Sequence, residues 1–322
     1  ALIVLEPIFE ADLQPEQHAY RKDHSAQAAV QAVHKLLIAG YREVVDADLS
    51  GYFDSIPHAE LMQCIARRVS DKAVLHLVKL WLVAPVEEED NRGRIHRTTR
   101  NKDGGRGSPQ GSPISPLFAN LYMRRFVLGW KTLGHERALR ARIVNYADDF
   151  VICCRGNADK AMHVMRDMMT RLKLTVNETK THVCLVPNES FDFIGYTFGR
   201  GYSPRTGQPY IGARPSKKKI AQLRQAISEQ TSARWGLAEP EEIVGRLNLM
   251  LRGWANYFSY GSISRAYRAV DYHARERLRQ WLCRKHKVPG RGTARYPLQY
   301  GYQKLGLVEL RRKRRRFPRA NA

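Results

Sequence analysis

Ile143-Val144-Asn145-Tyr146-Ala147-Asp148-Asp149-Phe150-Val151-Ile152-Cys153 decides the fold. Two short runs rich in β-branched residues flank a tight turn, the pattern of two strands joined in a hairpin. The turn holds two adjacent carboxylates, and a carboxylate there is neither a core residue nor an ordinary helix cap. Upstream, Val44-Val45-Asp46-Ala47-Asp48-Leu49-Ser50-Gly51-Tyr52-Phe53-Asp54 repeats the theme, with Asp48 at the end of an apolar strand. If the strands are neighbours, Asp48 and Asp148 converge and their repulsion calls for cations. A few carboxylates, completed by substrate phosphates, suit Mg²⁺. Two surface turns with acidic tips are the bland alternative.

Working outward, helices and strands alternate irregularly, as in an α+β fold. Ser25 caps a helix from Ala26 to Ile38, ended near Gly40. Tyr41 to Leu49 reads as a strand. A helix opens at Ile56-Pro57 and runs to about Val69, another spans Asp71 to Val83, and Glu87 to Arg106 is a polar hairpin or loop. Ser115 to Trp130 is a long helix begun by Pro116, and Asp159 to Leu172 an amphipathic one whose methionines belong to the core. Phe191 to Phe198 reads as one strand, followed by Gly/Pro-marked loops. Three helical stripes follow, through Ile220, Leu223 and Ile227, then Ile243 to Phe258, then Tyr267 to Leu282. The domains expected are 1–199, 200–310 and a basic tail, 311–322.

The 322 residues carry 54 Lys+Arg against 31 Asp+Glu, a net charge of +23. From Arg200 onward there are 28 basic and 7 acidic residues, a balance of +21, so a near-neutral body is joined to a strongly basic C-terminal part. That polarity points to a polyanion, nucleic acid first. No run of about 18 apolar residues predicts a membrane span. Five cysteines show no repeated Cys-x-x-Cys spacing, which argues against a disulfide framework or zinc ribbon and for a reducing cytoplasm. Cys153-Cys154 read as buried hydrophobes.

Gly107-Ser108-Pro109-Gln110-Gly111-Ser112-Pro113-Ile114-Ser115-Pro116 is a Gly/Pro loop entering the long helix. Its small residues let a base pair approach the backbone, and Gln110 can position a nucleotide without demanding one base. Two metal ions ~3.5–4 Å apart at Asp48 and Asp148 would then suit nucleotidyl transfer to a 3′-hydroxyl.

These three motifs, in this order, resemble motifs A, B and C of reverse transcriptases, most closely the group II intron-encoded maturases. Tyr146-Ala147-Asp148-Asp149 is similar to that family's YADD box. Leu174-Thr175-Val176-Asn177-Glu178-Thr179-Lys180-Thr181 resembles motif D, and Phe191-Asp192-Phe193-Ile194-Gly195-Tyr196 the primer grip. Leu251-Arg252-Gly253-Trp254-Ala255-Asn256-Tyr257-Phe258 resembles the thumb, or X domain. The resemblance runs from about Tyr20 to Leu310. It implies a right-hand polymerase palm with partial fingers, an antiparallel sheet packed on helices, followed by a helical thumb.

Roles carried over residue by residue are implied by the resemblance. Asp48, Asp148 and Asp149 form the catalytic set, and Asp48, Asp148 and the Leu49 carbonyl bind two Mg²⁺. Backbone amides of Ser50, Gly51, Tyr52 and Phe53 cradle the triphosphate, with Phe53 as steric gate below the sugar. Gln110 contacts the incoming nucleotide. Lys180 approaches its phosphates and protonates pyrophosphate. Phe193 and Gly195 hold the primer end. Arg214, Lys217, Lys218, Lys219, Arg252, Arg284, Lys285 and Lys287 grip nucleic acid.

The implied activity is RNA-directed DNA synthesis, with intron RNA, DNA target or primer, and deoxynucleoside triphosphates as partners, no membrane, and a bacterial cytoplasmic, nucleoid- or ribonucleoprotein-associated location. Splicing assistance and retrohoming go with it. The alternatives are a CRISPR-associated or defence reverse transcriptase, and a non-catalytic RNA-binding splicing cofactor. Two departures are expected: outer fingers and an N-terminal extension shortened before Tyr20, and no HNH endonuclease motif after Leu310.

Overall fold

The structure, a computed structural model, describes residues 2–89, 93–109 and 111–313. The chain forms two compact units. Unit 1 comprises Ala1–Ile194 and Gly199–Ile211, and unit 2 comprises Gly195–Phe198 and Gly212–Ala322.

Unit 1 begins with helices α1 (Leu2–Glu10) and α2 (Ala26–Ile38), strand β1 (Glu43–Ala47), and helices α3 (Tyr52–Ser55), α4 (His58–Ala66) and α5 (Lys72–Val83). A hairpin of β2 (Val86–Glu89) and β3 (Ile95–Thr98) follows, then α6 (Arg100–Gly104), α7 (Ser115–Thr132) and α8 (His135–Ala138). Strands β4 (Ala141–Tyr146) and β5 (Asp149–Cys154), helix α9 (Ala158–Arg171), and strands β6 (His182–Leu185) and β7 (Phe191–Phe193) complete this run. The central sheet is antiparallel, in the order β4-β5-β1-β6.

Side-chain alternation along β1 divides the sheet's two faces. Val45, Ala47 and Leu49 join the core of the helical layer with Phe126, Phe150 and Met165. Asp46 and Asp48 are therefore on the other face. Helix α7 is buried nearly all round, as a helix through a core must be, with Phe118, Tyr122, Phe126 and Trp130 each at most 1 % exposed. At α2 the Ser25 hydroxyl accepts a hydrogen bond from the Ala28 N–H at 3.1 Å, a cap worth about 1 kcal/mol. Cys153 and Cys154 are buried, and burial pushes both thiols far above their ordinary range.

The segment before α2 is an added rail on β4. Gln17 bridges Asn145 in parallel, the Asn145 N–H donates to the Glu16 carbonyl at 2.9 Å, and the His18 N–H donates to the Asn145 carbonyl at 2.9 Å. The Gln17 amide donates to the Asn120 carbonyl at 2.9 Å, and the Asn120 amide to Ala19 at 2.7 Å. His18 is half-buried there, and burial, aided by His24 and Arg21, pushes its imidazole down to about 4. A depressed folded-state pKa makes His18 favour folding above about pH 6.5 and oppose it as pH falls toward 4. The full effect is on the order of 2–3 kcal/mol. A His18→Phe variant should flatten the loss of stability between pH 6.5 and 4 in urea titrations; an unchanged pH profile would reject this assignment.

Strands β8 (Tyr196–Tyr202) and β9 (Pro209–Pro215) carry the chain between units, in a sheet of order β7-β8-β9. The single strand expected over Phe191 to Phe198 is instead broken after Phe193, because Ile194 (φ 40°) and Gly195 (φ 84°) adopt left-handed backbone. The loops expected after Gly199 are also shorter, since β8 runs to Tyr202. Unit 2 adds α10 (Lys217–Gln230), α11 (Pro240–Tyr257), α12 (Ser264–Lys285), α13 (Tyr300–Gln303) and α14 (Leu310–Lys313) around one apolar core. Buried Asp271 of α12 accepts the Leu310 and Arg311 N–H groups at 2.9 and 3.2 Å, fixing the start of α14. Among the described residues no helix is long and apolar enough to cross a membrane.

Candidate functional site

Antiparallel register brings the two acidic motifs together. Ala47 pairs with Phe150, so one step further along the ladder Asp48 lies opposite Asp149, and Asp148 sits at the apex of the turn. The turn is tight because Ala147 takes a left-handed φ of 58° and because the Asn145 amide donates to the Ala147 carbonyl at 2.8 Å. Asp148 and Asp149 are exposed.

Asp48 is held from the motif D side. Its backbone carbonyl accepts the Asn177 N–H at 2.8 Å, and the Ser50 N–H donates to Thr175 at 2.9 Å. Leu49 bridges Val176 between these two bonds, so its own N–H and carbonyl are not used by this pairing. The Asp48 carboxylate accepts the Asn177 amide at 2.9 Å and faces the Lys180 ammonium at 3.3 Å. The Thr181 hydroxyl accepts the Asp48 N–H at 3.3 Å. Asn177 and Thr181 were not singled out from sequence, although they flank Lys180 in the same motif.

Asp46, two residues back on the same face, is pushed up to about 7, first by burial and then by Asp149, Asp192 and Asp48, with His182 opposing. Tyr20 was also missed. Its φ is 55°, it ends the rail on β4, and its phenol is pushed up by burial and by Asp148, Tyr146 and Asp149.

The motif B loop is fastened to motif A. The Ser108 N–H donates to Phe53 and the Gly107 N–H to Ile56, both at 2.8 Å. The His58 ring contacts the Gly107 carbonyl at 2.7 Å. Gly107 has a φ of 95°, and a Cβ there would meet the Asp54 carbonyl at 3.2 Å. The Tyr52 hydroxyl donates to Ala119 at 2.6 Å, so Tyr52 is a core ring. Phe53 is half-buried against it, ring centroids 5.8 Å apart. Gln110 lies outside the described residues.

Two assignments need correction. The Ser50 amide is already engaged by Thr175, so a phosphate cradle here has only Gly51, Tyr52 and Phe53 to draw on. Lys285 is turned inward: its ammonium donates to the Ala238 carbonyl at 2.9 Å and faces Glu239 at 3.3 Å. Phe193 is buried in unit 1, while Gly195, in unit 2, leaves a Cβ only 3.2 Å from Lys219 Cγ. Lys217, Lys218, Lys219, Arg252, Arg284 and Lys287 are exposed, and Arg214 is half-buried. The three lysines crowd the first turn of α10, where the helix dipole disfavours cations; this is charge placed for something other than helix stability.

Among the described residues no three carboxylate, imidazole or thiol groups form a ready-made metal cage. The oxygen donors at hand, Asp48, Asp148 and the Leu49 carbonyl, are few and hard, which fits Mg²⁺ completed by substrate phosphates rather than an all-protein site.

Residues 1–198 match the family model described as reverse transcriptase (RNA-dependent DNA polymerase), and residues 220–298 match the group II intron maturase-specific domain. Group II intron-encoded protein LtrA of Lactococcus lactis is 32% identical over 255 residues, covering 60% of this chain and 41% of its own length. Protein YkfC of Escherichia coli is 26% identical, covering 76% of this chain and 69% of its own. The telomerase of Candida albicans, solved with a fragment of telomeric RNA, aligns over 89% of this chain and 54% of its own at 14% identity and a TM-score of 0.46. The chain spans about two fifths of LtrA and of the yeast COX1/OXI3 intron 1 protein. Palm-type sheet, paired acidic turns and a maturase-specific helical region together make this chain a member of the reverse transcriptase family, of the group II intron-encoded type.

Proposed function

We propose that the chain is an RNA-directed DNA polymerase that also binds intron RNA to assist splicing and retrohoming. The observation that carries this reading is the β1–β5 register, which sets Asp48 beside the Asp148–Asp149 turn while Asn177 and Lys180 hold its carboxylate. A pure RNA binder has no use for that arrangement.

Asp48, Asp148 and the Leu49 carbonyl would hold two Mg²⁺, which supply activation of a 3′-hydroxyl and neutralisation of phosphate charge. The chain's own groups do the rest. Asn177 fixes the rotamer of Asp48. Lys180, with its side chain 67% exposed, can swing from Asp48 to the leaving pyrophosphate and deliver a proton from Nζ. Phe53 walls the sugar. The exposed lysines opening α10 grip phosphates, and the maturase-specific region supports the splicing role.

The test is deoxynucleotide incorporation on an RNA template with Mg²⁺, run beside a Phe53→Val variant. Shrinking the wall should raise ribonucleotide use relative to deoxynucleotide by ~1–3 kcal/mol of discrimination. An unchanged ratio in a folded variant would return Phe53 to plain packing against Tyr52. No incorporation by the wild-type chain under any divalent metal would reject the polymerase reading.

A further inference from the structure

The near-neutral balance of residues 1–199 conceals a local concentration of positive charge. Arg67 and Arg68 follow directly on α4, and Arg124 and Arg125 lie midway along α7. All four line one cavity of about 220 Å³, together with Asp12 and Phe9. This cavity belongs to the helical side of the central sheet, the side that Val45, Ala47 and Leu49 face. Asp46 and Asp48 project from the opposite face, so the cavity is not part of the acidic site.

Each guanidinium brings five N–H donors and a fixed charge, and few of these donors are spent. Arg68 grips the Asp12 carboxylate, its Nε 2.7 Å from Oδ2. Arg124 gives its Nε to the Asp12 backbone carbonyl at 2.6 Å. Arg125 donates to the Tyr122 hydroxyl at 3.3 Å and lies 5.3 Å from that ring's centroid. The Arg67 guanidinium has no hydrogen bond or ion pair with a described residue, and the residue is exposed.

Four cations thus face a single carboxylate, whose pKa the Arg68 hydrogen bond lowers from its ordinary value. The lining is left with a charge of +3. Like charges around one cavity repel unless an anion joins them. Guanidinium forks match phosphate oxygens in pairs.

We propose that this arginine cavity is a phosphodiester-binding site for RNA, separate from the basic C-terminal unit. Two features favour a passing backbone over an enclosed nucleotide. The rim is open, with the Arg68 side chain 55% exposed. The aromatic ring in the lining, Phe9, is only 1% exposed and offers no face for a base to stack on. Contacts of this kind position a nucleic acid without reading its sequence.

The experiment measures binding of a labelled 40-nucleotide poly(rA) to the whole chain across a KCl series. Arg67→Gln/Arg125→Gln leaves the Asp12 pair intact. It should lower the log–log salt slope by about 0.7–1.4, one to two single-strand phosphates, and weaken binding roughly tenfold at low salt. Arg67→Glu, at an exposed residue whose side chain has no partner among the described residues, is the variant least able to disturb folding and should weaken binding further. Arg67→Lys/Arg125→Lys keeps the charge and should keep most of the slope. Wild-type affinity and slope in both the Gln and Glu variants, at unchanged melting temperature, would overturn the proposal. So would a second arm in which inorganic tripolyphosphate raises the melting temperature of the wild type but not of the Gln variant while RNA binding is unaffected, because the ligand would then be a small polyphosphate.

Discussion

Asp148→Asn should remove nearly all RNA-templated DNA synthesis, by about a thousandfold or more, or ~4 kcal/mol of transition-state stabilisation. The substitution keeps size and hydrogen-bonding capacity and deletes one charge. Asp148 is exposed and its carboxylate makes no hydrogen bond or ion pair with a described residue, so the fold loses no side-chain contact there. RNA affinity and melting temperature should stay near wild type, since surface changes of this kind fall within about 0.5 kcal/mol. Primer extension on poly(rA)/oligo(dT), filter binding and a melt, run on one preparation, separate the outcomes. Extension at near wild-type rate would remove Asp148 from the reaction. Loss of extension together with loss of folding would instead make it a structural residue.

The largest effect on stability should come from Gly261→Ala. Gly261 has a φ of 76°, and a Cβ there would sit 2.2 Å from the Ala213 carbonyl oxygen. That oxygen accepts the Ser262 N–H at 2.7 Å, so the two backbones are already locked together. Left-handed strain and the overlap add, for a cost of about 3 kcal/mol or more. Gly253 offers the opposite case. It is exposed in α11 with nothing within 4 Å of a built Cβ, so Gly253→Ala should stabilise by about 0.5–1 kcal/mol from helix propensity. Urea unfolding of the two variants should therefore give shifts of opposite sign. A Gly261→Ala protein as stable as wild type would show that the backbone yields without cost.

Much of unit 1 was legible because its signals are local. Ser25 before an Ala-rich run marks α2, and Pro116 marks the start of α7. The acidic turn between two apolar runs marks the β4–β5 hairpin. What the sequence concealed was non-local or conformational. Helix α1 contains Pro7 in its interior, which argues against a helix on propensity alone. The break after Phe193 depends on two left-handed residues, one of them Ile194, which no composition rule forecasts. Asn177 and Thr181 acquire their roles only when pairing of Leu49 with Val176 brings motif D to Asp48. Charge counting found the basic C-terminal part but could not separate presented cations from engaged ones. Lys285 is tied to Ala238, and Arg277 donates to Thr231 and Ser228. The same counting averaged away the arginines that follow α4 and those within α7, because acidic residues elsewhere in unit 1 cancel them.

The chain crosses between its units at three peptide bonds, after Ile194, Phe198 and Ile211. No single stop codon can therefore release one unit whole. A gene cut after residue 199 would leave Gly195–Phe198 attached to the wrong half and strip the segment up to Ile211 from the first. Recombination that exchanges the helical region between relatives has to carry the whole Tyr196–Pro215 hairpin with it, Gly199–Ile211 of unit 1 included, so the inheritable module begins just after Ile194. The loop within that hairpin is held by the Ser203 N–H on the Gln208 carbonyl and the Gly207 N–H on Ser203, both at 2.9 Å. A split placed there gives two pieces whose reunion demands strand complementation, a ready basis for a reporter that signals only when the halves meet.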